Sequence, residues 1–262
     1  MFTTTAKTSQ RRPQRDRGRG TLLSALFGLI VLGSGFAALA WFVPVTSGSR
    51  QETFQGDVDR LVVEAAGDVT VVAGDSTGVT VERQWALNRT RDAEVELSDG
   101  VLTVRATCSL LAIRCRADVM ATVSEGAEVL VTSDNGSISV TGTTGGVELT
   151  TSSGDVQVAD VDGVAILSTS TGSVLGRLRS HDVTAYSSSG DVELSVTGDI
   201  DRLRAESSSG VVNLLVTDDV YRVDAEASSG EVTVGVATDP TSERLITAYS
   251  SSGDVTVSPL GR

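Results

Sequence analysis

A Ser/Thr-rich tetrad ending in glycine recurs along the second half of the chain, and this repeat restricts the fold more than any other feature. The glycines fall at Gly136, Gly154, Gly172, Gly190, Gly210, Gly230 and Gly253, at intervals of 18, 18, 18, 20, 20 and 23 residues. Five residues before each glycine stand Val131, Leu149, Leu167, Ala185, Ala205, Ala225 and Ala248, and seven before it stand Val129, Val147, Ala165, Val183, Leu203, Val223 and Ile246. Two residues after it come Ile138, Val156, Val174, Val192, Val212, Val232 and Val255. Four after it come Val140, Val158, Gly176, Leu194, Leu214, Val234 and Val257, with Gly176 alone breaking the apolar set. Such fixed-offset self-similarity marks a repeat architecture.

Period-two alternation on both sides of a turn predicts two strands per repeat, each with one face inward and one toward solvent. A hairpin this short cannot bury its apolar face alone, so the repeats must stack. The fold class expected is therefore all-β, a stacked β-solenoid or β-helix-like domain. With aromatic residues at 4% of the chain, its interior has to be built from Val, Leu, Ile and Ala. Regular repeats are expected over 129–258 and a less regular part over 56–128, where Ala65-Ala66-Gly67-Asp68-Val69-Thr70-Val71 makes Gly67 the glycine of an early coil. Strand-like runs between Val79 and Arg105, with a turn at Ser98-Asp99-Gly100, read as a hairpin excursion or a cap on the solenoid. Pro259 suits a blunted last strand.

The turn glycines predict corners with positive φ, which glycine adopts without strain. The serines and threonines before them can bond local backbone and form ladders between coils; the alternative is a ligand-binding strip. Directly after the glycines come Ser137, Asp155, Ser173, Asp191, Val211, Glu231 and Asp254. Neutral residues between most of these acids limit like-charge repulsion along a stack and argue against a continuous calcium strip, which needs clustered oxygen ligands.

The N-terminal segment has a different character. Residues 1–20 carry Lys7, Arg11, Arg12, Arg15, Arg17 and Arg19 against Asp16, a net +5, so residues 21–262 must carry −18 to reach the chain's −13. A body that acidic repels phosphate backbones, which excludes nucleic acid as a partner. The apolar run Leu22–Val45 is long enough to cross a bilayer as one helix. The arginine cluster orients it with a cytoplasmic tail (1–21), a transmembrane helix (22–45), a linker (46–55) and an extracytoplasmic domain (56–262). A cleavable signal ending at Ala38-Leu39-Ala40 is the competing reading, and it exports the same domain.

Cys108 and Cys115 are the only cysteines. In an exported domain the pair reads as a disulfide; a metal site would need further ligands, and a redox switch is the remaining alternative. The sole histidine, His181, is expected in an outer turn beside Asp182 and leaves little material for a Ser-His-Asp or Cys-His arrangement. No cofactor or metal motif is present in the sequence, and no catalytic set is read from it.

The basic tail, apolar segment, acidic domain and close Cys pair precede Ser152-Ser153-Gly154-Asp155-Val156, Ser188-Ser189-Gly190-Asp191-Val192 and Ser251-Ser252-Gly253-Asp254-Val255. Together they resemble the bacterial β-strand-repeat family of adhesin-like proteins, a domain of unknown function in membrane-anchored proteins of actinobacteria. The resemblance covers about residues 50–258 and implies a stacked β-helical domain with no catalytic residues to carry over. The function expected is a membrane-anchored, surface-exposed, non-enzymatic module whose partner is an envelope polymer or surface protein. Two other readings stand beside it. A polysaccharide-acting β-helix enzyme would gather acids with Arg177, Arg179, Arg202 or Arg204 on one face. An envelope-state signalling protein would act through the membrane helix.

Overall fold

The computed structural model of the chain describes residues 46–54, 58–85, 93–108 and 115–261. The expected cytoplasmic tail, membrane helix and signal-peptide site lie outside these residues. Among the described residues no helix is long and apolar enough to cross a membrane.

Residues 46–123 form β1 (Thr46–Phe54), β2 (Arg60–Ala65), β3 (Val69–Ala73), β4 (Thr77–Trp85), β5 (Glu94–Ser98), β6 (Val101–Ala106) and β7 (Arg116–Val123). The regular repeats follow as β8 (Glu128–Ser133), β9 (Ile138–Thr141), β10 (Val147–Ser153), β11 (Val156–Val161), β12 (Ala165–Thr171) and β13 (Val174–Leu178). They continue as β14 (Asp182–Ser187), β15 (Val192–Val196), β16 (Arg202–Ser207) and β17 (Val212–Val216). The last part holds β18 (Val220–Ala227), β19 (Val232–Val234), β20 (Ala237–Thr238), β21 (Leu245–Ser250) and β22 (Val255–Pro259).

Each repeat contributes one strand to each of two eleven-stranded sheets. Sheet A runs β1-β4-β7-β3-β9-β11-β13-β15-β17-β22-β19, and sheet B runs β20-β18-β21-β16-β14-β12-β10-β8-β2-β6-β5. Pairing within the repeats is parallel and places equivalent columns side by side. On sheet B, Val147, Ala165, Val183, Leu203 and Ile246 are successive partners; on sheet A, Ile138, Val156, Val174, Val192, Val212 and Val255 are. These residues are buried, and the inner faces of the two sheets form one continuous aliphatic core. Stacking follows because each coil removes its neighbour's inward aliphatics from water at roughly 25 cal/mol per Å² buried.

The coils do not stack in chain order. Strands β21 and β22 lie between β16–β17 and β18–β19, and at the other end β2 and β3 lie between β6–β7 and β8–β9. The terminal coil is therefore β18–β19, and its inward Val232 and Val234 are 40% and 38% exposed because nothing described covers them. This corrects the reading of Pro259 as belonging to a blunted edge strand: it ends β22, which has β17 on one side and β19 on the other. The 23-residue interval before Gly253 supplies the reach for this step back. Asp239 Oδ1 folds the connection by accepting from Thr241 N (2.8 Å) and Thr241 Oγ1 (2.7 Å).

The less regular part closes the opposite end with antiparallel strands. β4 pairs with β7, β1 pairs with β4, and β5 pairs with β6 through a turn in which Asp99 and Gly100 have φ of 50° and 77°. Two positive-φ residues match the two-residue turn that suits the twist of a hairpin. Residues 46–54, read from sequence as linker, are thus corrected to strand β1. Its alternation is weak because Thr46-Ser47-Gly48-Ser49 carries almost no apolar signal.

Candidate ligand-binding faces

The corners between sheets B and A use most of the sequence's recurrent polar residues internally. Gly67, Gly136, Gly154, Gly172, Gly190, Gly210, Gly253 and Gly230 lie over one another in that spatial order. A Cβ on Gly136, Gly154, Gly172, Gly190, Gly210, Gly253 or Gly230 would sit 2.0–2.3 Å from the carbonyl oxygen of the glycine below it. On Gly67 it would sit 2.7 Å from the Ala117 carbonyl oxygen. Only Gly154 and Gly172 have positive φ, at 146° and 148°. Close backbone approach between coils, more than positive φ, therefore excludes a side chain, which corrects the reason inferred from sequence.

Three residues before the glycine, a buried hydroxyl donates to the glycine carbonyl of the coil below. Ser133 reaches Gly67 O (2.7 Å), and Thr151 (2.8 Å), Thr169 (2.9 Å), Ser187 (2.8 Å), Ser207 (2.8 Å) and Ser250 (2.8 Å) repeat the contact with Gly136, Gly154, Gly172, Gly190 and Gly210. This hydroxyl column faces inward and belongs to the core. The acids one residue after the glycine also serve the backbone: Asp68, Asp155, Asp191 and Asp254 accept from the amides of Ser137, Ser173, Val211 and Glu231 at 2.8–2.9 Å. At the end of the column Arg116 bridges Asp68 and Asp118, and these carboxylates hold its guanidinium pKa above the ordinary value, Asp118 most. In the outermost parallel coil at that end, the Cys108–Cys115 disulfide links the chain just after β6 to the chain just before β7, with Cα atoms 5.9 Å apart.

The titratable residues singled out in the sequence are dispersed. His181 is exposed at a corner, where its carbonyl accepts from Asp201 N and Arg202 N. Arg179 pairs with Asp162 at 3.0 Å, Arg202 with Asp182 at 3.5 Å and Arg204 with Glu206 at 2.6 Å. Arg202 and Arg204 lie on sheet B, whereas Arg177 is on sheet A. Among the described residues no group of three or more His, Cys, Asp or Glu side chains could hold a metal ion.

Two exposed features remain. On sheet A a depression of about 540 Å³ lies over Gly176, with outward Gln157, Leu175, Arg177, Glu193 and Asn213 around it. Its cause is the gap in the apolar column. A Cβ on Gly176 would meet Leu194 Cδ2 at 2.6 Å and Leu178 Cδ1 at 2.8 Å, so neighbouring leucines occupy the interior volume and the strand carries no inward side chain to hold it out. Sequence reasoning noted Gly176 as a departure but did not read a surface from it.

The outer face of sheet B carries Tyr186, Glu206, Tyr249 and Glu226 in one column, on β14, β16, β21 and β18. Tyr186 hydroxyl hydrogen-bonds with Ser188 Oγ (3.0 Å), two residues on and just past the end of β14. Tyr249 hydroxyl does the same with Ser251 Oγ (3.1 Å) and also meets Ser228 Oγ (3.1 Å) of the next coil outward. These contacts lower both phenol pKa values, Ser188 then Ser208 acting on Tyr186, and Ser228 then Ser251 on Tyr249. A depression of about 410 Å³ adjoins Tyr249, edged by Glu206, Asp224 and Glu226. The signal in the sequence was two tyrosines at one offset, four residues before Gly190 and Gly253, in a chain with three tyrosines in all.

Comparison with solved structures finds similar chains at low identity. A candidate cell-adhesion protein from Clostridium sporogenes is 9% identical over 82% of this chain and 100% of its own, with a TM-score of 0.38. A candidate lipid-binding protein from Parabacteroides distasonis is 14% identical over 81% and 96%, with a TM-score of 0.44. A candidate adhesin from the same organism is 13% identical over 80% and 97%, with a TM-score of 0.35. No curated protein sequence matches the chain. The sequence profile of one family, Toastrack DUF4097, matches residues 88–258, well over half of the chain, and its span contains every regular coil described above. The chain belongs to the Toastrack DUF4097 family.

Proposed function

We propose that this protein is a non-enzymatic, adhesin-like interaction module of the cell envelope, anchored by its N-terminal apolar segment with the solenoid outside the membrane. One observation carries the reading: the recurrent acids and hydroxyls are committed to holding coil to coil. Asp155, Asp191 and Asp254 accept backbone amides, and Thr151, Thr169 and Ser187 donate inward. The chemistry left for a partner is that of two long, ordered faces. Repeat arrays commonly bind through extended surfaces.

The test is capture of isolated cell envelopes and of their separated polymer and protein fractions by the full-length chain in detergent, alongside adhesion of a deletion strain. Retention of one envelope fraction, with reduced adhesion or envelope integrity on deletion, is the expected result. Capture of no fraction together with an unchanged deletion strain would overturn the proposal.

A further inference from the structure

Tyr186, 38% exposed, and Tyr249, half-buried, are the two tyrosines on the outer face of sheet B, and each hydroxyl bonds the serine two residues ahead. Ser188 and Ser251 stand one residue beyond the ends of β14 and β21, so each hydrogen bond draws the tyrosine hydroxyl toward the C-terminal end of its strand. Each hydroxyl is also drawn toward the next coil outward, Tyr249 to Ser228 and Tyr186 to Ser208. The two tyrosines occupy equivalent positions of their coils, in register through Glu206. Between β14 and β21 lies only β16, so they stand two rungs apart, about 10 Å at the usual strand spacing.

We propose that this face binds a neutral β-1,4-linked glycan strand running along the solenoid, with alternate sugars stacked on Tyr186 and Tyr249. In such a strand every second sugar presents the same face, and its disaccharide repeat is close to the two-rung separation of the rings. Sugars offer apolar C–H faces that pack on aromatic rings and hydroxyls that bond carboxylates and guanidinium groups. Glu206 stands between the rings and pairs with Arg204, while Asp224 and Glu226 edge the depression beside Tyr249. This predominantly acidic surround disfavours a polyanionic strand. Pinned rings need little ordering on binding, which favours affinity. The assignment rests on the interaction-module reading and names the ligand class of that module.

The test is calorimetric titration of the full-length chain in detergent with cellohexaose and chitohexaose, with polygalacturonate as the anionic probe. Binding of at least one neutral hexaose is expected, and polygalacturonate is expected to bind at least tenfold more weakly. Y186A and Y249A should each weaken the hexaose about tenfold, the equivalent of 1.4 kcal/mol. Y186F and Y249F keep the ring, lose the pin and should weaken it less. A disaccharide, too short to cover both rings, should bind at least tenfold more weakly than the hexaose, and R177A on the opposite sheet should leave binding unchanged. The proposal is overturned if neither hexaose binds, if the alanine variants bind as the parent does, or if R177A abolishes binding. Should envelope capture persist in any of those cases, the interaction module stands and this site falls; loss of both removes both.

Discussion

At the residue scale, the corner glycines are the positions with least tolerance. A Cβ on Gly190 would lie 2.0 Å from Gly172 O, an overlap with backbone that no rotamer relieves, whereas on Gly126 it would meet nothing within 4 Å. Gly190→Ala should therefore lower stability by about 3 kcal/mol or more, and Gly126→Ala should leave it within about 0.5 kcal/mol, measured by denaturant unfolding. Tyr221 makes a second residue-level case. It is 1% exposed, and its hydroxyl meets Thr217 Oγ1 at 2.7 Å. Burial, the largest influence, raises its phenol pKa. The folded state then keeps a proton that the unfolded chain releases above about pH 10, so the stabilising contribution is complete below that pH and is lost as pH rises through the folded pKa. Subtracting the Y221F stability curve from the parent's should isolate this loss between pH 9 and 12. A pH-independent difference would contradict the burial account.

At the element scale, strand existence was legible in the sequence and strand neighbours were not. The columns around Gly136 to Gly253 carry the period-two signal because every coil must bury the same face, and the structure pairs those columns in register. Order along the stack leaves no such mark: Ala225 and Ala248 are the same residue at the same offset, so pattern alone does not say which coil lies inside. Burial separates them, since Ala248 is 1% exposed whereas Val232 and Val234 of the outer coil are 40% and 38% exposed. β1 escaped notice because its sequence is polar, and the tyrosine face because two isolated aromatics carry no periodic signal until β21 is placed beside β16. Terminal elements with few buried contacts open most readily. Amides of β21 and β22 should therefore exchange more slowly than those of β19 and β20, despite lying nearer the C-terminus. The reverse order would mean that β18–β19 is the inner coil.

At the scale of the whole molecule, the account depends on a stack in which the last coil in sequence is the penultimate one in space. That placement leaves Val232 and Val234 as the open end, alternates Tyr186, Glu206, Tyr249 and Glu226 on one face, and sets the two-rung separation of the rings. Paired outward positions give a direct test, because Arg204 is opposite Thr247 and Thr247 is opposite Asp224. Neighbouring rungs place Cα atoms about 4.8 Å apart, within disulfide range, whereas two rungs place them near 10 Å, beyond it. The measurement is oxidative cross-linking of three double variants, R204C/T247C, T247C/D224C and R204C/D224C, read by mass spectrometry. The first two should form the engineered disulfide and the third should not. Cross-linking of R204C/D224C, with none in R204C/T247C, would show coils stacked in chain order and contradict the structure described above.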